Sequence, residues 1–165
     1  MGAVNESVEW AVVDRPDAAP ARLRAQPSWL INQAALPANR IVAERLARTG
    51  ARRYHYALLA ALDELGPQSQ AEFSRRTAID RSDMVAIVNE LTEQGYVDRS
   101  PDANDGRRNV ITITPAGRRH LHKLDRLLAG AQDQLLAPLS PDERDELVGL
   151  LTLLVEHHAV GDRDS

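Results

Sequence analysis

A mainly α-helical fold, broken once by a β-hairpin, is what this sequence predicts. Three observations lead there. Apolar residues recur at helical spacing in six separate stretches, most of them opened by a capping residue or closed by a glycine. Two short segments, 96–100 and 109–113, alternate in polarity instead, and turn residues fill the gap between them. The 165 residues are 43% hydrophobic but only 4% aromatic, so the core must be mostly Leu, Val, Ile and Ala, a composition that favours helices.

Residues 1–27 carry Pro16, Pro20 and Pro27 and no sustained period, so they read as an extension. Its apolar piece, "VEWAVV" at 8–13, can dock on its own chain or on a partner subunit. The first helix is expected from Ser28 as N-cap, with Leu30, Ala34, Ile41, Val42 and Leu46 near one face and Gly50 as its stop. Pro37 should kink or split it. "RRYHYALLAALDELG" predicts a second helix with Leu58, Leu59, Leu62 and Leu65 inward and Gly66 at its end.

"SQAEFSRRT" opens with Ser69 three residues before Glu72, a capping box, and makes about two turns that bury Phe73. "AI" at 78–79 turns the corner. Asp80 then caps a longer helix with Met84, Ile87, Val88 and Leu91 at i, i+3, i+4 and i+7, closed by Gly95. The hairpin follows, with the long charged loop "PDANDGRR". Thr114 as N-cap and Pro115 at the first helical position restart a helix along which Leu121, Leu124, Leu128 and Leu135 share a side. A second capping box, Ser140 with Glu143, opens the last helix, whose stripe is Leu147, Leu150, Leu151, Leu154 and Val155.

Several function classes drop out. There is no cysteine, hence no disulfide, thiolate metal site or thiol redox sensor. The five histidines, 55, 120, 122, 157 and 158, show no i, i+4 pair, so no metal site is expected. No Gly-rich phosphate loop and no Ser-His-Asp order stands out; an enzyme is not expected, and no cofactor. No apolar run approaches the ~20 residues that span a bilayer, and the first residues lack a basic start and a long apolar stretch. A cytoplasmic protein without membrane contact is the expectation. Net charge is −4, but residues 140–165 alone carry seven acids against two arginines, while 66–120 balance at eight and eight. The acidity is largely C-terminal and leaves room for a nucleic-acid surface elsewhere.

A short helix, a tight turn and a longer helix make a helix-turn-helix, whose second helix fits a major groove about 12 Å wide. With Met84, Ile87, Val88 and Leu91 inward, Ser82, Asp83, Val85, Ala86 and Asn89 remain outward. Asn89 can pair with adenine, Val85 and Ala86 can touch thymine methyls, and Asp83 can accept from cytosine N4. Asp83 has an equal claim as a helix N-terminal carboxylate. The hairpin directly after that helix suits a wing. An arginine at its tip, Arg107 or Arg108, can enter a narrow A·T-rich minor groove, where the potential is most negative; a solvated charged turn is the alternative. Ser69, Gln70, Arg75, Arg81 and Arg99 are the candidate phosphate contacts, each also explicable as a surface residue.

The continuous stretch "SQAEFSRRTAIDRSDMVAIVNELTEQGYVDRSPDANDGRRNVITITPAG", 69–117, resembles the MarR family of bacterial winged-helix regulators. Its wing "DANDGRRNVITITPAG" is similar to the family's Asp-rich, Arg-containing wing followed by Leu-Thr-x-x-Gly, here Ile113, Thr114, Pro115, Ala116 and Gly117. Gly106 stands where family members often carry another arginine, which leaves Arg107 for the minor groove unless Arg108 substitutes. Over 28–160 the likeness is one of helix order and length. The resemblance implies a winged helix-turn-helix over 51–114, a helical dimerisation region from 28–50 and 115–160, and a tail at 161–165. It implies an obligate homodimer on a pseudo-palindromic operator, with half-sites ~34 Å apart. It also implies a repressor released by a small aromatic acid or phenol bound between dimer helices and winged domain, for which Trp29, Arg40, Arg52, His55 and Tyr56 are the candidates. Residue by residue the plainer reading is the stronger: Trp29 and Tyr56 as packing residues and His55 as locally satisfied. A winged-helix module that binds protein and never DNA is the rival reading.

Overall fold

The computed structural model describes residues 18–77, 80–101 and 109–161. The wing tip with Arg107 and Arg108, the corner at 78–79 and the segment 8–13 lie outside the described residues. No helix was expected before Ser28, yet α1 (Ala21–Arg24) makes a single turn there. Helix α2 (Pro27–Ala47) starts with Gln26 as N-cap and Pro27 at its first position, so Ser28 lies inside the first turn. Proline suits that place: its fixed φ is helical and its missing N–H would be unpaired anyway.

Pro37 does not split α2; one helix runs through it. An interior proline forfeits one backbone hydrogen bond. Buried side chains on both sides of it, Trp29 before and Ile41 and Leu46 after, pack both halves against the protein. The inward face of the first half is therefore carried by Trp29, while Leu30 is 49% exposed and Ala34 is exposed too.

Helix α3 (Arg53–Leu65) buries Leu58, Leu59 and Leu62. Leu65, expected inward, is exposed, because the helix ends there and the chain turns away through Gly66 at φ 78°. The two-residue strand β1 (Gln68–Ser69) follows, then α4 (Gln70–Thr77) and α5 (Arg81–Glu93). Both predicted caps form. Glu72 accepts from the Ser69 backbone and hydroxyl at 2.8 Å each, and Asp80 accepts from the Ser82 backbone at 2.8 Å.

Strands β2 (Val97–Pro101) and β3 (Asn109–Ile113) pair antiparallel with Arg99 opposite Ile111. Strand β1 adds to the other edge of β3, giving the order β1-β3-β2. Helices α6 (Pro115–Leu135) and α7 (Pro141–Gly161) complete the chain, α7 behind the Ser140–Glu143 capping box. A single core cluster joins Leu58 and Leu62 of α3, Phe73 of α4, Met84, Ile87, Val88 and Leu91 of α5, Ile111 and Ile113 of β3, and Leu121 and Leu124 of α6. None of the described side chains of α7 is buried; Val148, Leu150, Leu153 and Val155 are each more than half exposed.

Where α5 hands over to the sheet, the backbone of Tyr96 joins three elements. Its N–H donates to the Leu91 carbonyl at 2.9 Å, and its own carbonyl accepts from the Thr114 N–H at 3.0 Å. Thr114 caps α6 through Gly117 N–H at 3.0 Å and donates its hydroxyl to the Gly95 carbonyl at 2.7 Å. A Cβ on Gly117 would sit 2.1 Å from the Tyr96 oxygen, so the first turn of α6 packs on bare backbone. Gly117→Ala is expected to lower the unfolding free energy by about 2–3 kcal/mol, the cost of overfilling a packed contact. Urea denaturation measures it; an unchanged midpoint would show that the junction yields freely.

Candidate nucleic-acid interface

Helix α5 is amphipathic in the strict sense. Met84, Ile87, Val88 and Leu91 are between 0 and 3% exposed, and Ser82, Asp83, Val85, Ala86 and Asn89 all face solvent. The outward residues are small or short, so another molecule can approach the helix backbone closely. Asp80 fixes the first turn: its Oδ1 also accepts the Ser82 hydroxyl at 2.7 Å, and those two bonds hold its carboxyl below the usual range. Asp83 lies in the same first turn, so its role as an N-terminal carboxylate stays open beside the base-reading one.

The sequence-predicted positions distribute unevenly. Arg99 of β2 donates to Asn89 Oδ1 at 2.6 Å, so two residues expected in separate roles, phosphate contact and base reading, meet each other. Gln70 is half-buried at the start of α4 and Arg75 is exposed in its last turn. Ser69 is only 5% exposed, and its hydroxyl serves the α4 capping box with Glu72; that side chain does not face solvent as a phosphate contact would. Arg81 opens α5.

Of the five ligand candidates, Arg52 and His55 are brought together, at Glu90 of α5. His55 is 2% exposed and sits at the third position of α3, where its Nδ1 accepts the Arg52 N–H at 3.2 Å, half of a capping box with histidine in the glutamate's place. An accepting Nδ1 puts the proton on Nε2, which donates to Glu90 Oε2 at 2.9 Å. Arg52 pairs with the same Glu90 oxygen. Tyr56 donates its hydroxyl to Asp125 of α6 at 3.1 Å, Trp29 is buried and Arg40 is exposed. Neither Glu90 nor Asp125 was anticipated; a polar residue on the flank of an amphipathic helix is an uninformative signal until its partner is known. Among the described residues no group of three or more His, Cys, Asp or Glu is placed to hold a metal, and no helix is long and apolar enough to cross a membrane.

The MarR-family sequence profile matches residues 48–108, which span α3 to the hairpin. A probable transcriptional regulator from Pseudomonas aeruginosa is 34% identical, with a TM-score of 0.70 over 81% of this chain and 99% of that one. The chain belongs to the MarR family. Another solved structure, the PcaV transcriptional regulator of Streptomyces coelicolor in complex with its natural ligand, is 25% identical with a TM-score of 0.68, covering 84% of this chain and 97% of that one. A putative transcriptional regulatory protein for the hcr operon of Thauera aromatica is 31% identical over 99 residues, a stretch that spans 60% of either chain. The winged fold that the 69–117 stretch implied is thus the fold of this MarR protein.

In this MarR protein the His55 cluster ties the start of α3 to α5, and its protonation has a definite sign. Burial chiefly, with the Arg52 charge, pushes His55 below its ordinary value against the Glu90 hydrogen bond, while Arg52 and then His55 hold Glu90 low. His120 is lowered as well, by burial, Lys123 and His55. A histidine lowered in the folded state is protonated first in the unfolded chain as pH falls. Its contribution is therefore complete above about 6.5 and is lost progressively below it. Unfolding free energy should fall between pH about 6.5 and 5, and His55→Gln, which keeps a capping-box residue, should flatten that fall, leaving the His120 share. Equal slopes in urea titrations of the two proteins would remove His55 from the pH response.

Proposed function

We propose that this chain is a sequence-specific regulator that binds double-stranded DNA as a homodimer. One observation carries the reading: a helix sealed on its inner side presents a small-residue face to solvent, with a two-stranded ribbon starting one turn after it. A helix of that kind fits the major groove, and the ribbon then lies beside the backbone, with Arg107 and Arg108 on its connecting loop. Gln70, Arg75 and Arg81 supply phosphate contacts, and Ser82, Val85, Ala86 and Asn89 meet base edges, with Asp83 beside them.

The dimer is supported by α7. A 21-residue helix whose leucines and valines from 148 to 155 stay in solvent needs a partner, and Leu30, Ile31 and Leu36 of α2 add further exposed apolar surface. A two-fold pairing of 28–50 and 115–160 covers these faces and leaves 51–114 free to hold DNA. Two α5 helices can then occupy successive major grooves of a pseudo-palindromic operator, with half-sites ~34 Å apart. As a repressor the dimer would occupy its operator until a small aromatic or phenolic ligand loosens it. The ligand-bound state of PcaV supports that part. Arg40 and Trp29 lie nearest to the role, since Arg52 and His55 already serve Glu90 and Tyr56 serves Asp125.

The even charge of 66–120, eight basic against eight acidic residues, favours one rival: a winged module that binds protein alone. Salt separates the two. A DNA-bound dimer loses affinity steeply, with a log–log slope of about −0.9 for each phosphate neutralised. Selection of duplexes from a random pool, followed by salt titration and light scattering, should return a near-palindrome, a steep slope and twice the mass of one chain. Arg107→Ala should weaken the selected duplex about tenfold or more without changing the mass. Absence of duplex binding at low salt would leave the protein-binding reading in its place.

A further inference from the structure

The contact between Arg99 and Asn89 limits what the recognition helix can read. Arg99 approaches the Asn89 oxygen at 2.6 Å. A guanidinium has N–H groups and no acceptor, so this contact fixes the amide with its oxygen toward Arg99 and its NH2 group elsewhere. An unengaged asparagine reads adenine with both ends: the oxygen accepts from N6 while the NH2 donates to N7. Here one of the oxygen's two lone pairs is already engaged by Arg99. The pair therefore offers a groove mainly donors, the Asn89 NH2 and the remaining Arg99 N–H groups.

Guanine matches a surface of donors. Its major-groove edge carries two adjacent acceptors, N7 and O6, whereas adenine sets an NH2 beside its N7. We infer that Arg99 and Asn89 act as one reading unit that selects guanine over adenine in each half-site, an inference that rests on the DNA-binding reading above. Both side chains are exposed, yet the backbone under each is anchored. Arg99 lies opposite the buried Ile111 in the β2–β3 ladder. Asn89 sits between the buried Val88 and Glu90, which is tied to His55 and Arg52. The unit is thus assembled before any duplex arrives, and ordering it costs little on binding.

The test is selection from a random duplex pool with four proteins: wild type, Asn89→Ala, Arg99→Ala, and Arg99→Met, which keeps the alkyl stem. Thermal melts establish that each is folded. Asn89→Ala should relax one position per half-site, and the wild type should carry guanine there. Both Arg99 variants release the amide oxygen, and the preference at that position should move toward adenine by about tenfold in the guanine-to-adenine ratio, other positions holding. Adenine already present in the wild type, an unmoved guanine in the Arg99 variants, or no relaxed position with Asn89→Ala would each overturn the inference while leaving DNA binding intact. A wild type that enriches no sequence would overturn the DNA-binding reading itself, and the inference with it.

Discussion

The backbone of Tyr96 is the point on which the architecture turns. Helix α5, strand β2 and helix α6 converge there through three hydrogen bonds, and Gly117 is pressed against the Tyr96 oxygen with no room for a side chain. A contact of that kind between main-chain atoms has few degrees of freedom. It sets the direction in which the ribbon leaves α5 and the direction in which α6 departs. Its side chain contributes too: the Tyr96 ring stacks on His120 of α6 at 4.2 Å between centroids. Helix α5, strand β2 and helix α6 are thus joined through consecutive backbone groups and one ring stack.

A second tie works from the other side. His55, Arg52 and Glu90 fasten the start of α3 to α5 behind the outward face. Glu90 adjoins Asn89, so the carboxylate that anchors the helix and the amide proposed to read a base are consecutive residues. This arrangement also resolves how a chain of net charge −4 can face a polyanion. Two of the four acids at α5, Asp80 and Glu90, are engaged within the protein. Asp80 caps the helix and Glu90 is paired to Arg52, while Asp142, Glu143, Asp145, Glu146 and Glu156 lie on α7, the helix proposed to meet a second subunit. Local pairing, more than the total, decides what a phosphate would meet.

Much of this was legible in the residues, for physical reasons that differ by element. Met84, Ile87, Val88 and Leu91 fall on one helical face and all are sealed; a stripe at that spacing arises when one side of a helix is selected for burial. Ser69 with Glu72, Thr114 with Gly117 and Ser140 with Glu143 are local devices, readable because both partners lie within one turn. What was not legible depends on partners far along the chain or on very short elements. Strand β1 has two residues and no alternation to detect. Trp29 displaced Leu30 from the inward face because tertiary packing, not the α2 period, chose between neighbours. The Arg99–Asn89 and His55–Glu90 contacts link residues on different elements, so no spacing rule announces them. The hairpin itself suggested the wing, and the resemblance of 69–117 to the MarR family implied the domain order; neither spoke to the two contacts.

The absence of cysteine makes the proposed seat of α5, its outward face against duplex DNA, open to a direct chemical probe. Ala86→Cys places a single thiol in the middle of that face, and Asp133→Cys places one on an exposed part of α6. Each can carry an iron chelate that cuts nearby DNA. On the selected operator the Ala86 conjugate should cut at two symmetric places about one helical turn apart, with a major-groove offset, and the Asp133 conjugate should cut weakly or not at all. Equal cutting from both conjugates, or none from Ala86 on a duplex that the protein demonstrably holds, would show that α5 does not lie in the groove.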